Sequence, residues 1–191
     1  MTLTNAWRVK DSMFDVNQIY NIDSPLLSKT EIENFETLLQ KYSWEFDNIS
    51  YDGFRTFWLK QLWGEEKSYG IEFLFRNKIE SLFDLKLETV EMVLNGQAHG
   101  QCGSLHTDEK EFFDKNSEYI TLIYYAHRQW SPEQGGFTVV IDRNNNIHSI
   151  YPKPNSAVLF NSRLNHVGLE PTVHCRTQRI SFAQKLKILK D

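Results

Sequence analysis

From about residue 86 onward the chain divides into short runs of β-branched and aromatic residues: LETVEMVLN, EYITLIYYA, GGFTVVID, NIHSIYP, SAVLFN and RISFAQKLKI. Turn-forming residues separate them. Runs of this length and composition fit pleated, half-buried strands better than helices. DRNNN (142–146), between two of the runs, has the composition of a hairpin loop, because Asn and Asp tolerate left-handed backbone. Short strands at near-regular spacing predict an antiparallel sandwich or barrel.

The earlier part of the chain has a different period. SPLLSKTEIENFETLLQKYSW places Ile32, Phe35, Leu38 and Leu39 at helical spacing, with Ser28 or Thr30 as the cap. KSYGIEFLFRNKIESLFDL does the same with Ile71, Leu74, Ile79 and Leu82. Each helix would lay one apolar face on a neighbour. The aromatic-rich GFRTFWLKQLWG fits strand or helix and is a candidate wall of a substrate groove. The expectation is an α+β fold in a single domain over 1–191, with a mainly helical support region at 1–85 and a β-core at 86–191.

Hydrophobic residues make up 40% and aromatic residues 14%, which argues for a folded globule. The net charge is −4 and no long Lys/Arg cluster appears, so general nucleic-acid binding is not expected. The start of the chain lacks the apolar core of a secretory signal, and the apolar runs are far too short to span a bilayer. Cys102 and Cys175 make no disulfide framework and read as reduced thiols in a cytoplasmic protein, a monomer or weak homodimer with no membrane partner.

Within the β-half, GSLHTDEK sets His106 and Asp108 two positions apart, on one face if the local backbone is extended. With 6 histidines and 25 acidic residues in the chain, roughly one such pair arises by chance. The case therefore rests on His166, which follows the apolar strand AVLF in NSRLNHVGLEP. Two imidazoles and one carboxylate form the facial triad of non-haem Fe(II) oxygenases, though Zn or Mn also suits such donors. Thirteen positions after His166 comes Arg179, with Ser181 on the same strand face. A guanidinium fork and a hydroxyl are the partners that the free end of a metal-chelating dicarboxylate needs. Arg176 competes for that role by spacing; Arg179 is preferred because RISFAQKL continues as a strand.

In this order the residues resemble the Fe(II)/2-oxoglutarate-dependent dioxygenases, and within them the prolyl 4-hydroxylase-like group. The resemblance is carried by His106-Thr107-Asp108, His166 and Arg179, by YITLIYYAHRQWSPEQGGFTVVI, and by PKPNSAVLFNS, and covers about residues 88 to 186. It implies a double-stranded β-helix (jelly-roll or cupin-like) holding Fe(II) at His106, Asp108 and His166. It further implies 2-oxoglutarate and O2 as cosubstrates, with ascorbate a candidate accessory. The far carboxylate of 2-oxoglutarate would lie on Arg179 and Ser181 and touch Tyr125, with Tyr124 on the opposite face.

The implied reaction is hydroxylation of a prolyl residue in a protein or peptide, coupled to decarboxylation of 2-oxoglutarate to succinate and CO2. Alternatives are hydroxylation of lysine, a free amino acid or another small molecule, or a cupin-like non-oxidative metal-binding protein. Three positions depart from the group's pattern. Asn95 stands where a tyrosine is frequent, Asn155 where a glycine is common, and His127 in place of an asparagine. His99, His127, His148 and His174 read as polar surface groups or as supports to a site. Gly135 and Gly136 read as a tight turn, and Phe112 and Phe113 as a candidate substrate lid.

Overall fold

The apolar runs pair with one another, and every pairing is antiparallel. The computed structural model describes residues 14–23, 25–48, 57–62, 69–111 and 113–190. Along these the order is β1 (Tyr20–Ile22), α1 (Lys29–Lys41), β2 (Glu45–Asn48), β3 (Phe57–Gln61), α2 (Tyr69–Phe83), β4 (Leu87–Gln97) and β5 (Tyr119–Tyr125). A 3-10 turn at Pro132–Gln134 is followed by β6 (Thr138–Ile141), β7 (Ile147–Ile150), β8 (Ala157–Asn161), β9 (His166–Gly168) and β10 (Arg179–Ile188).

A seven-stranded sheet in the order β1-β8-β5-β10-β4-β3-β2 faces a three-stranded sheet in the order β7-β6-β9. Together they form a double-stranded β-helix with helices on the outer side of the larger sheet, an α+β architecture. The burial of β5 shows why its seven residues are all apolar or tightly paired: every one is buried. Ile120, Leu122 and Tyr124 join the core under the helices, where Phe35, Phe75 and Phe182 also sit. Ile123 and Tyr125 point the other way, packing with Val140 and Ile150 of the smaller sheet. Alternation along one strand thus serves two cores.

Helix α1 begins where the sequence allows. Ser28 is its cap, its hydroxyl accepting from the Glu31 N–H while the Glu31 carboxylate accepts from the Ser28 N–H. Phe35 then drives into the sheet, edge-on to Phe75, Tyr124 and Phe182 with ring centroids 5.5, 5.7 and 6.0 Å away.

The support region contains strands as well as helices among the described residues. Residues 1–85 do supply α1 and α2, but they also add β1, β2 and β3 to the large sheet. The aromatic segment that fitted either state is strand over Phe57–Gln61, paired with β4. Strands of three to five residues carry too few alternations to stand out in a sequence.

Two asparagines take left-handed backbone. Asn155, in place of a glycine, adopts φ 57°, a left-handed conformation that Asn tolerates better than most residues. Its carboxamide clamps the approach to α1, accepting from Leu27 N–H at 2.9 Å and donating to Leu27 O at 2.8 Å. The 142–146 loop is the expected hairpin turn, with Asn145 at φ 62°.

Phe35→Ala should cost about 3–5 kcal/mol of stability by emptying this aromatic contact. Urea denaturation checks it; a loss under about 1 kcal/mol would mean that α1 is dispensable to the core.

Candidate active site

Backbone pairing brings the two histidines together. His106 and His166 form an isolated antiparallel bridge beside β9, with His106 N–H donating to His166 O at 3.0 Å and His166 N–H donating to His106 O at 2.8 Å. Residues paired in this way project side chains to the same face, and the two imidazole centroids lie 4.4 Å apart. Asp108 N–H extends the pairing to Ser162 O at 2.8 Å. With its period of two, Asp108 therefore returns to the face of His106. His106, Asp108 and His166 each offer a ligand atom within 4.8 Å of the others.

Both rings are held by the same device. Nδ1 of His106 lies 2.8 Å from Ser104 O and Nδ1 of His166 lies 3.0 Å from Leu164 O. A carbonyl can only accept, so each Nδ1 carries the proton and each Nε2 keeps a free lone pair. Burial, then the neighbouring His166 ring, holds the His106 imidazole below its ordinary pKa, which keeps that lone pair open. Asp108 Oδ1 lies 3.8 Å from His106 Nε2 and Oδ2 lies 3.4 Å from His166 Nε2. Burial alone would raise the Asp108 pKa, but His166, Lys185 and His106 hold it well below the usual carboxylate range. Thr121, inward on β5, donates to Asp108 Oδ2 at 2.8 Å. Two imidazoles that turn Nε2 inward and an ionised carboxylate, each oriented by a second partner, suit a divalent transition metal.

The triad lines one end of a cavity of about 310 Å³. Its wall is the inner face of β3, β4 and β10, and the strand register orders that wall in rows. Arg179 is opposite Gln97, Ser181 opposite Asn95, Ala183 opposite Val93, and Lys185 opposite Glu91. An apolar stripe of Val93, Ala183 and Ile123 thus separates a guanidinium end from the triad end.

Arg179 is only 2% exposed. Its Nε donates to Gly136 O at 2.6 Å, Nη1 to Gln97 Oε1 at 3.0 Å and Ser181 Oγ at 3.2 Å, and Nη2 to Thr138 Oγ1 at 2.7 Å. Every acceptor is neutral, and among the described residues no carboxylate pairs with it. One N–H of the five remains for a ligand. A buried cation without an anion is strongly disfavoured, and a bound carboxylate would relieve it. Gly136 makes the approach feasible: it adopts φ 71°, and a β-carbon there would sit 3.1 Å from Arg179 Cδ.

Ser181 lines the cavity beside Arg179, whereas Arg176 is exposed and outside it. Tyr125 lies beneath: its ring centroid is 5.6 Å from the Arg179 Cζ, and its hydroxyl donates to Thr138 Oγ1 at 2.8 Å. Burial pushes that hydroxyl up to about 12. Tyr124 faces the other core, as expected. Among the other sites, Phe113 is buried against Tyr119 and does not cover the cavity, and Phe112 lies outside the described residues. His99, His127, His148 and His174 do not line the cavity.

Residues 92–184 match the 2OG-Fe(II) oxygenase superfamily, a span that contains the triad and Arg179. This stretch, which carries the site, is that of a 2OG-Fe(II) oxygenase. As a 2OG-Fe(II) oxygenase it is an oxidoreductase that uses Fe(II), 2-oxoglutarate and O2. No curated protein gives a significant sequence match.

Solved structures share the oxygenase fold at low identity. A prolyl-4-hydroxylase from Pseudomonas putida is 16% identical with a TM-score of 0.64, covering 91% of this chain and 93% of its own. A Trichoplax adhaerens prolyl hydroxylase in complex with a hypoxia inducible factor peptide fragment is also 16% identical, with a TM-score of 0.64 and coverage of 91% and 84%. HygX from Streptomyces hygroscopicus, with nickel, 2-oxoglutarate and hygromycin B bound, is 14% identical, with a TM-score of 0.64 and coverage of 91% and 84%.

The oxygenase pocket also contains residues that motif reading overlooked. Gln97 and Thr138 complete the Arg179 cradle, but they come from distant strands and carry no spacing signal. Lys185 did carry one, since counting by two from Arg179 through Ser181 and Ala183 turns it inward.

His127 sits near Arg179 and stacks on Trp130 at 4.2 Å, with a buried Nε2 that has no partner. Burial, then the Arg179 charge, pushes its pKa down from 6.5 to about 3. Between those values the unfolded chain binds a proton there and the folded chain does not. Stability present above the unfolded pKa is therefore lost as pH falls toward the folded one. His127→Asn should flatten the decline in urea midpoint between about pH 7 and about pH 4; an unchanged slope would remove His127 from the acid limb.

Proposed function

We propose that His106, Asp108 and His166 hold Fe(II), that Arg179 and Ser181 bind the far carboxylate of 2-oxoglutarate, and that the enzyme hydroxylates a prolyl residue in a protein or peptide. The observation that supports this most is the single cavity with three metal donors at one end and a buried, anion-less guanidinium at the other. When bound, iron and 2-oxoglutarate supply the oxidising chemistry, in which O2 is consumed, succinate and CO2 are released and one oxygen atom enters a substrate C–H bond.

The chain's own groups do the positioning. The Ser104 and Leu164 carbonyls hold the protons of His106 and His166 on Nδ1, which aims both Nε2 atoms inward. Thr121 holds Asp108. Gln97, Thr138, Ser181 and the Gly136 carbonyl lock the guanidinium so that a carboxylate meets it without reorganisation. Tyr125 supports that cradle through Thr138, a backing role at one remove from the ligand. The Val93, Ala183 and Ile123 stripe suits the methylenes of the oxo-acid and excludes water between its ends. The free thiols Cys102 and Cys175 support a cytoplasmic setting.

A specific feature favours a second reading for the substrate. Glu91, Lys185, Gln61 and Lys110 line the same cavity toward the triad end, and such polar walls suit a small polar molecule or an amine better than a bare pyrrolidine ring.

Anaerobic titration of the Fe(II) protein with 2-oxoglutarate, followed by the weak visible band of the chelate, tests the cosubstrate assignment. Arg179→Ala should weaken 2-oxoglutarate by about 100-fold or more and Arg176→Ala by less than about 2-fold; the reverse order would move the anchor. The same preparation in air, given proline-containing peptides and small polar amines in parallel, separates the substrate readings by which product gains the mass of one oxygen atom.

A further inference from the structure

Lys185 is a charged side chain in the cavity wall that sits directly against the triad. It is 6% exposed, and its position on β10 is fixed by pairing with Glu91 on one side and Thr121 on the other. Its Nζ lies 3.1 Å from Asp108 Oδ1 and forms an ion pair with Glu91 Oε2. Thr121 donates to the other Asp108 oxygen. The carboxylate is therefore gripped at both oxygens, by a neutral hydroxyl and by a cation. Glu91 is in turn approached by Gln61 Nε2 at 3.3 Å and by the more exposed Lys110 at 3.9 Å.

We infer that Glu91 and Lys185 are a charge-balancing pair that sets the metal affinity of the triad. The inference rests on the triad's assignment as the metal site. Asp108 contributes one negative charge, and the pair adds one of each sign, so the metal meets a net charge of minus one. Lys185 alone would repel a dication and draw charge out of the carboxylate that must bind it. Glu91 cancels that cost. A lysine without its glutamate, or a glutamate without its lysine, would shift affinity in opposite directions.

The test is Mn(II) titration of the full, metal-stripped chain, read by the electron paramagnetic resonance signal of free Mn(II). Glu91→Gln leaves the lysine uncompensated and should weaken binding by about 10-fold. Lys185→Met should tighten it by about 10-fold or more, because the lost charge touches Asp108 directly. The double variant should return to within about 3-fold of wild type. Two singles that weaken binding alike, singles that change nothing, or a double that stays shifted would overturn the pairing. If Lys185→Met does not fold, the weakening by Glu91→Gln and its reversal in the double variant decide the matter. Asp108→Ala is the separate control: if it binds Mn(II) as well as wild type, or if wild type binds none, the metal-site assignment fails instead.

Discussion

Two hydrogen bonds between the backbones of His106 and His166 hold the rest of the site in register. They join residues sixty positions apart into one antiparallel pair, so that the imidazoles share a face with no help from a ligand. A shift of one residue in that pairing would turn His106 outward and carry Asp108 with it. The carbonyls two residues before each histidine then decide which nitrogen is left bare. Tautomer, direction and spacing of the donors are thus consequences of strand geometry.

The opposite end of the cavity obeys a harsher constraint. A guanidinium buried among neutral acceptors is shielded from water, and among the described residues no carboxylate pairs with it. Such an arrangement persists only because the hydrogen-bond cradle is nearly complete and because Gly136 lets the backbone come close. The fold tolerates a destabilising group here, one that a bound anion would stabilise. The apolar stripe of Val93, Ala183 and Ile123 between the two ends would pack against the methylenes of a dicarboxylate that bridges them.

Much of this was legible in the residues. The β-half announced itself by its short apolar runs, and Phe35 and Ile79 declared their helices by period. His106, Asp108 and His166 became readable only together, since the pair alone is a chance event and His166 alone is an ordinary histidine. Arg179 was separable from Arg176 because a strand continues through it, and strand residues at even spacing share a face. What stayed hidden has a common cause. Gln97, Thr138 and Thr121 act through cross-strand neighbours, and register is a property of the sheet that no local pattern encodes. The strands β1 and β2 are too short to show alternation. Lys185 was visible by counting, yet a lysine in a wall is ordinarily read as a surface residue until its partners Glu91 and Asp108 are seen.

In the proposed enzyme one cavity holds the metal between His106, Asp108 and His166 and the far carboxylate of 2-oxoglutarate on Arg179. The most direct measurement is a crystal structure grown without oxygen in Mn(II) and 2-oxoglutarate, with the metal located by anomalous scattering. The account predicts one anomalous peak bonded to both Nε2 atoms and the Asp108 carboxylate, and the cosubstrate spanning from that peak to the Arg179 guanidinium. A peak elsewhere, or a cosubstrate whose far carboxylate lies away from Arg179, would contradict it.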